Sequence, residues 1–368
     1  MTPWKKSLET LFDGQMLPIH SIIVEYGKKD YTLPLLSDLL EGGSRAVTIV
    51  ENGLASPTES VTDVEVAEFL TAAINNIEAD KFVFEAPFIP VRLIKPRLNL
   101  GFGAGVNSAV TSIGECQVDT VLFEVILDDQ KKRIVSRQLT GSNLPSEEFL
   151  EIFRQPYLLI SNNDIQIKPG ALSTLVGLIK RNGYAVVAPK LLNSDNTVYP
   201  SARRFPSVTT AVGYSLATLV GAGSNNRFVK NYKSYESFPL IDAGRGIYSV
   251  DWVSGAFFIV DYSIFTRLGG FDEGFFLYLE DVDLCHRIKA LGEQVAYATN
   301  CEVMHIGSVS INNESKKAFY HHKSAFRYER KTAKGWRKLL LPLAFVFLAL
   351  RGIAVVSVDR IKSQFAKK

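Results

Sequence analysis

The chain has 368 residues, 46% hydrophobic and 21% charged, with a formal net charge of +3. That length suits one large domain or two ordinary ones, and the abundance of Phe and Tyr excludes a disordered chain. Three cysteines (Cys116, Cys285, Cys301) are too few and too scattered for a disulfide framework or a Cys-based zinc site.

In chain order, Ile19–Tyr26 predicts a first strand and Leu33–Leu40 a helix. Ala46–Glu51 predicts a short strand ending at the turn signal Asn52-Gly53. Apolar residues at helical spacing over Val64–Ile77 are followed by strand patterns at Phe82–Phe84 and Val91–Ile94, and Gly101–Gly105 opens a helix through Val110. Strands alternating with helices predict an α/β fold with a mostly parallel sheet flanked by helices. Val121–Leu127 reads as a strand and Lys131–Ser146 as a polar, turn-rich stretch. Tyr157–Ile160 is a buried-type strand leading into Ser161-Asn162-Asn163-Asp164, and Pro169-Gly170 opens a helix to Arg181. Ala185–Ala188 is another strand, and residues 194–250 read as a long excursion of the kind that carries function. Phe257–Val260 (strand), Ser263–Leu268 (helix) and the Gly269-Gly270 break precede the aromatic stretch Phe271–Leu279. A helix from about Glu280 to Leu291 stops at Gly292. Val295–Tyr297 and Val303-Met304 read as two short strands, and Lys316–Lys331 as a basic helix.

Charge is unevenly spread along this order. Residues 330–368 hold ten Lys or Arg and one acid, Asp359, for a net +9, which leaves the rest of the chain at −6. A mildly acidic body with a strongly basic tail predicts an anionic surface as partner. Leu339–Leu350 is free of charge, Arg351 interrupts, and Gly352–Val358 is apolar again apart from Ser357. A spanning helix needs roughly 20 apolar residues and a central Arg costs a few kcal/mol, so the pattern favours a helix lying at an interface. The alternative is a buried helix packed on the domain. Met1–Gln15 has no apolar run before a small-residue cleavage site, so no signal peptide is expected and the expected location is cytoplasmic.

Five groups of residues could carry chemistry. Glu280-Asp281-Val282-Asp283 places three carboxylates in four residues directly after an aromatic run. Such acids are costly unless solvated, paired or used. Asp281 could act as general base, with Glu280 and Asp283 in support, although spacing alone favours all three simply complementing a helix N-terminus. Asp164, after Asn162-Asn163 at a strand end, stands where ligands bind in parallel sheets and could hold a divalent cation, or form an Asx turn. Asn99-Leu100-Gly101-Phe102-Gly103-Ala104-Gly105 permits close backbone approach and could cradle a phosphate, although it is neither a Walker loop nor a dinucleotide fingerprint. Arg203-Arg204 could neutralise a diphosphate or be a solvated basic loop, and His305 could be a metal ligand or a hydrogen-bonded core residue.

Taken together these segments resemble a family 2 glycosyltransferase with the GT-A fold, close to bacterial rhamnosyltransferases acting on lipid-linked saccharides. The resemblance is carried by Ser21–Tyr26, Val47–Gly53, Asn99–Phe102 with Gly105 and Asn107, Asn162–Asp164, Pro200–Pro206, Asp251–Ala256, Gly269–Asp272, Phe276–Arg287 and His305. It implies Asp281 as the base. It puts Glu51 at the nucleotide base, and Val24, Tyr26, Asn99, Gly101, Phe102, Gly105, Asn162, Arg203 and Arg204 on the nucleotide-sugar side. Trp252, Ser254 and Gly255 would line the acceptor side, with Asp164 and His305 holding Mg²⁺ or Mn²⁺. The chain departs from the family at Asn162 (usually an acid), Glu51 (usually Asp) and Glu25 (commonly Asn), and residues 114–156 form an insertion. Asp128-Asp129 in that insertion ranks below Asp164 as a metal site, because no Pro-Gly helix opening follows it.

The expectation is therefore an N-terminal extension (1–16), a GT-A domain (17–330) and a membrane-associating helical tail (331–368). The implied reaction moves a sugar, best matched by L-rhamnose from dTDP-rhamnose, with inversion, onto a lipid-linked saccharide at the cytoplasmic face of the membrane. Arg327 and Lys323, on the basic helix, are expected to meet the lipid diphosphate. Nucleic acid is not expected as a partner. The alternatives are a sugar nucleotidyltransferase, against which stands the lack of an Arg/Lys-bearing Gly-rich N-terminal loop, and a non-catalytic degenerate transferase in membrane assembly, against which stands the intact Glu280-Asp281-x-Asp283.

Overall fold

The computed structural model describes residues 16–26, 29–52, 60–75, 88–96, 98–111, 119–128, 131–138, 150–206, 240–242, 244–307 and 314–365. Strands β1 (Leu17–Glu25), β2 (Ser44–Glu51) and β3 (Phe88–Lys95) alternate with helices α1 (Lys29–Glu41) and α2 (Asp63–Asn75). Helix α3 (Phe102–Thr111) leads to the hairpin β4 (Asp119–Asp128) and β5 (Lys131–Gln138), then to β6 (Tyr157–Asn162), β7 (Ile165–Ile167), α4 (Ala171–Asn182) and β8 (Val186–Leu192). Four short strands follow: β9 (Ala202–Arg203), β10 (Leu240–Asp242), β11 (Ile247–Ser249) and β12 (Trp252–Val253). After them come β13 (Phe257–Asp261), α5 (Tyr262–Arg267), α6 (Glu280–Ala290), β14 (Val295–His305), α7 (Glu314–Thr332) and α8 (Leu341–Phe365).

One sheet runs β10-β11-β14-β8-β13-β6-β1-β2-β3-β4-β5, with β7 added beside β14 and a separate β9–β12 ribbon. Its centre, β6-β1-β2-β3, is parallel, as is β8–β14, while β13 and the outer strands run antiparallel. Strand β1 shows why helices cover both faces. Ile19 and Ile23 pack with Leu35 and Leu39 of α1 and Leu172 and Leu175 of α4. Ile22 and Val24 pack with Phe102 and Val106 of α3 and Leu284 and Ile288 of α6. The period-two alternation of a strand apolar on both faces feeds two cores, and each fully buried Ile or Leu contributes about 1.5–3 kcal/mol. The expected α/β class, with a central parallel sheet between helices, is the one observed.

Most expected elements are present within a few residues, and two differ. Lys131–Gln138 is a strand rather than a turn-rich stretch, paired with β4 from Val121↔Gln138 to Asp128↔Lys131. It lies at the sheet edge, where a Lys- and Arg-rich strand discourages further pairing, and Ser136 donates a 2.8 Å bond to Asp63 of α2. The two short strands expected at 295–297 and 303–304 are one strand, β14, with its register against β8 shifting between Ala298 and Glu302. Residues 1–15, Phe82–Phe84, Cys116, Asp129 and 207–239 lie outside the described residues. Cys285 and Cys301 are buried free thiols, which burial pushes up to about 12.

The tail folds back onto the body. Helix α8 packs along α7, with Phe326 and Phe345 ring centroids 5.3 Å apart. Ala344 and Leu348 are buried, whereas Leu339, Leu343, Phe345, Val346, Leu350 and Ile353 are exposed. No described helix is long and apolar enough to cross a membrane.

Candidate active site

A cleft of about 510 Å³ opens at the carboxyl ends of β1 and β6, the edge where open α/β sheets bind ligands. It is lined by Val24 and Tyr26 at the end of β1, Asn162 and Asp164 at the end of β6, and Phe102 at the start of α3. Arg203, Trp252, Ser254 and Gly255 of the β9–β12 region, Glu280 and Asp281 at the start of α6, and His305 at the end of β14 complete the sequence-predicted part of the lining. Helices α7 and α8 add Lys317, His321, Leu348 and Arg351.

The acid pair is delivered by a strained turn. Tyr278 and Leu279 both take positive φ, 68° and 65°, before α6 begins, and such conformations cost of order 1–3 kcal/mol each in residues with side chains. The turn is clamped from the glycine segment. Gly101 has φ 84°, and a Cβ there would stand 2.2 Å from the Phe276 carbonyl oxygen, to which the Phe102 amide donates at 3.2 Å. Asn107 holds the next loop, donating to the Phe271 carbonyl (2.9 Å) and accepting from the Phe271 amide (2.9 Å).

The two acids then diverge. Asp281 accepts from the Gly255 amide (2.7 Å, Oδ2) and the Val282 amide (2.8 Å, Oδ1). Burial pushes its carboxyl up, against these amides and the charge of Arg203. Glu280 is 5% exposed and its Oε2 has no hydrogen-bond partner among the described residues. Burial, and then the charge of Asp281, push it well above the carboxylate range. Of the pair, Asp281 ionises first because its charged form has the donors.

Asp164 and His305 meet because β7 pairs antiparallel with β14, setting Ile165 opposite His305. His305 Nε2 stands 3.2 Å from Asp164 Oδ1, a buried oxygen with no other partner among the described residues. A buried carboxylate oxygen and an imidazole nitrogen side by side suit a divalent cation that takes its remaining ligands from water and phosphate oxygens. Among the described residues no third His, Cys, Asp or Glu joins them.

The β9–β12 ribbon forms another wall. Trp252 pairs with Arg203 across it, and the Arg203 guanidinium lies 5.7 Å from the Trp252 ring centroid. Trp252 Nε1 donates to the Arg204 carbonyl (2.9 Å) and Ser254 N to the Ser201 carbonyl (2.7 Å). Tyr199, which the sequence reading passed over, lies against His305 at 4.9 Å between ring centroids. Burial pushes its phenol up, as do Asp281 and Asp164, while Arg203 works the other way; the hydroxyl is thus within electrostatic reach of all three.

Several expected site residues stand elsewhere. Asp283 is 1% exposed and paired with Arg287 (2.7 Å) and Lys331 (2.6 Å), so it ties α6 to α7 and does not line the cleft. Gly101 and Gly105 are packing points rather than a phosphate cradle: a Cβ on Gly105 would stand 3.1 Å from Asn52 Nδ2. Asn99 accepts from the Gly101 amide (2.9 Å). Asn52, seen in the sequence only as a turn residue, organises this loop by donating to Gly101 O (2.7 Å) and the Tyr26 hydroxyl (2.9 Å) and accepting from Leu100 N (2.9 Å). Glu51, at the end of β2, and exposed Arg204 also lie outside the cleft lining. Burial raises the Glu51 carboxyl, Lys95 opposes and Asp63 adds to it. Arg327 is engaged with Asp272 (2.7 Å), and exposed Lys323 does not line the cleft. In their place stand His321 and Arg351, for which the sequence offered no signal beyond a charge inside an apolar run.

No family model matches the chain. It is 29% identical over 248 residues to an N-acetylglucosaminyl-diphospho-decaprenol L-rhamnosyltransferase of Mycobacterium tuberculosis, covering 67% of this chain and 69% of that one. It is 30% identical over 176 residues to the rhamnosyltransferase WbbL of Escherichia coli, covering 47% of this chain and 61% of WbbL. Solved structures align loosely, among them the mannosyltransferase PcManGT of Pyrobaculum calidifontis in complex with GDP-Man and Mn²⁺. That alignment has a TM-score of 0.45 at 11% identity, over 99% of this chain and 87% of that one. Over two thirds of its length the chain is thus similar in sequence to a rhamnosyltransferase of Mycobacterium tuberculosis, and over just under half of it to one of Escherichia coli.

Proposed function

We propose that the chain transfers a sugar from a nucleoside-diphosphate sugar to a hydroxyl of a lipid-linked saccharide, with inversion at the anomeric carbon. The observation that carries this reading is the presence in one cleft of Asp281, held by two backbone amides, and the Asp164–His305 pair. Two relatives named as rhamnosyltransferases make L-rhamnose from dTDP-rhamnose the favoured donor. The peripheral site of action is the cytoplasmic membrane face, with the body at about 17–330 and the tail at 331–368.

Asp281 is the base. Its hydrogen bonds from Gly255 and Val282 fix the carboxylate and favour its charged form over that of Glu280, whose carboxyl burial pushes up with no such donors. As the acceptor oxygen attacks the anomeric carbon, its proton passes to Asp281 and the bond from that carbon to the diphosphate breaks. The nucleoside diphosphate leaves. Asp164 Oδ1 and His305 Nε2 would hold Mg²⁺ or Mn²⁺, which supplies charge neutralisation for the departing diphosphate. Arg203, braced against Trp252, adds a fixed positive charge on the same cleft. Trp252 and Ser254 offer the acceptor sugar an apolar face and a hydroxyl.

The test is transfer from dTDP-rhamnose and other nucleotide sugars to a polyprenyl-diphosphate saccharide, with EDTA and Mn²⁺ add-back. Product formed by the intact chain and nearly absent in Asp281→Asn is expected, with unchanged nucleotide binding. Full activity in EDTA would remove the metal role. Pyrophosphate release from a nucleoside triphosphate, without sugar transfer, would overturn the reading in favour of a nucleotidyltransferase.

A further inference from the structure

The cleft carries both signs of charge. Asp164, Glu280 and Asp281 line it, and so do Arg203, Lys317 and Arg351. The last two come from α7 and α8, so the tail helix is part of the cleft and more than an appendage. Arg351 is an exposed charge in an otherwise apolar stretch of α8, and it lines the cleft. No carboxylate among the described residues lies within ion-pair distance of it. On α7, Arg327 pairs with Asp272, and Lys331 with Asp272 and Asp283, away from the cleft lining.

His321 connects these groups. Burial, then His322, Arg351 and Arg203, push its imidazole down to about 4, so it is a neutral donor or acceptor at neutral pH and lies in the fields of both arginines. Its ring centroid is 5.8 Å from that of Tyr278, in the strained turn that carries Glu280 and Asp281. Leu348, one turn before Arg351, lines the cleft, and Leu343, Val346, Leu350 and Ile353 face outward on the same helix.

We infer that Lys317, His321 and Arg351 form a subsite for the diphosphate of a lipid-linked acceptor, with α8 supplying both the arginine and an apolar path for the lipid chain. This rests on the transferase reading, in which two diphosphates must be housed. One belongs to the donor, beside Asp164 and His305. The other would be repelled by the carboxylates and is drawn to the cations of the α7–α8 wall.

Isothermal titration of the full chain with farnesyl diphosphate, in EDTA and without donor, tests it. Arg351→Gln and Lys317→Gln are each expected to weaken binding about tenfold, the scale of losing one charge-assisted hydrogen bond. Arg351→Lys should recover part of the loss, and farnesol and inorganic diphosphate should each bind more weakly than farnesyl diphosphate. Circular dichroism confirms that each variant is folded. Affinity within twofold of the unmodified chain in both Gln variants would overturn the inference, as would equal affinity for inorganic diphosphate or an equal loss of dTDP binding in Mn²⁺. Failure of the unmodified chain to bind farnesyl diphosphate would overturn it too. Farnesyl diphosphate binding that depends on these residues, in a chain that transfers no sugar from any donor, would sustain the subsite and overturn the transferase reading.

Discussion

The two walls of the cleft are held by different forces. The carboxylate wall hangs on the sheet: Asp281 is fixed by backbone amides, its turn is clamped by Gly101 against Phe276, and Asp164 and His305 are set by strand register. The cationic wall is tied down by ion pairs around a small apolar cluster of Phe275, Leu279, Val282 and Tyr328. Asp272 takes Arg327 (2.7 Å) and Lys331 (2.8 Å), and Asp283 takes Lys331 (2.6 Å), which together dock α7, and α8 rides on α7. Backbone bonds within a packed sheet resist acid and salt, whereas partly exposed ion pairs yield to both. The chemistry is therefore built on the firm wall, and acceptor recognition, as proposed, on the one that can loosen.

The sharpest way to separate the walls is Asp281→Asn. The general base is expected to be worth about 10²–10⁴ in kcat, with little change in thermal midpoint, because Asn keeps an oxygen for one of the two amides. Rate and melting measurements on one preparation check both. Next comes pH. Asp281 works ionised, and burial raises its carboxyl while Gly255, Val282 and Arg203 restrain it; Glu280 and Tyr199 also face it. Transfer should fall about tenfold per pH unit below an acid limb that lies above the range of an ordinary Asp. A limb at the ordinary position would remove the raised pKa.

Gly101→Ala attacks the clamp. With φ 84° and the Phe276 carbonyl in the way, it should cost about 3 kcal/mol of stability by strain and overpacking. Denaturant melts should show that loss together with reduced transfer, because the turn before Asp281 must shift. The smallest effect belongs to the other wall. Burial works against the Asp272 charge, but Lys331, the Gly274 amide and Arg327 hold its carboxyl at about 2. A depressed folded pKa stabilises above the unfolded value and is lost as pH falls through the folded one. The contribution, about 1–2 kcal/mol after solvent screening, is therefore fully present above about pH 4 and mostly lost at about pH 2. Asp272→Asn should melt below the unmodified chain at neutral pH, and the two curves should converge at about pH 2.

How far the site was legible depends on what each residue contacts. Asp281 and Asp164 were legible through the family resemblance of their segments, because an acid at a helix start or a strand end serves equally well as a dipole partner or an Asx turn. Asp283 was not. Two residues along a helix turn the side chain by about 200°, so it points away from Asp281, toward Arg287 and Lys331. The glycines of 101–105 were legible as points of close approach, but what approaches Gly101 is the Phe276 backbone, 175 residues away in the chain. A basic helix does not disclose which of its faces is covered, so Lys317 lines the cleft while Lys323 and Arg327 do not.

The sequence by itself determined the alternation of strands and helices, the two-faced burial of β1, the glycine-marked ends of α4 and α6 and the split of charge between body and tail. These are short-range properties, written in side-chain period, backbone permissiveness and composition. Only the tertiary structure decided which charges share the cleft. That choice follows from strand register between β7 and β14, from the packing of α7 against the turn before α6, and from α8 folding back over α7. Each of those contacts joins segments whose local patterns are satisfied equally well in other arrangements.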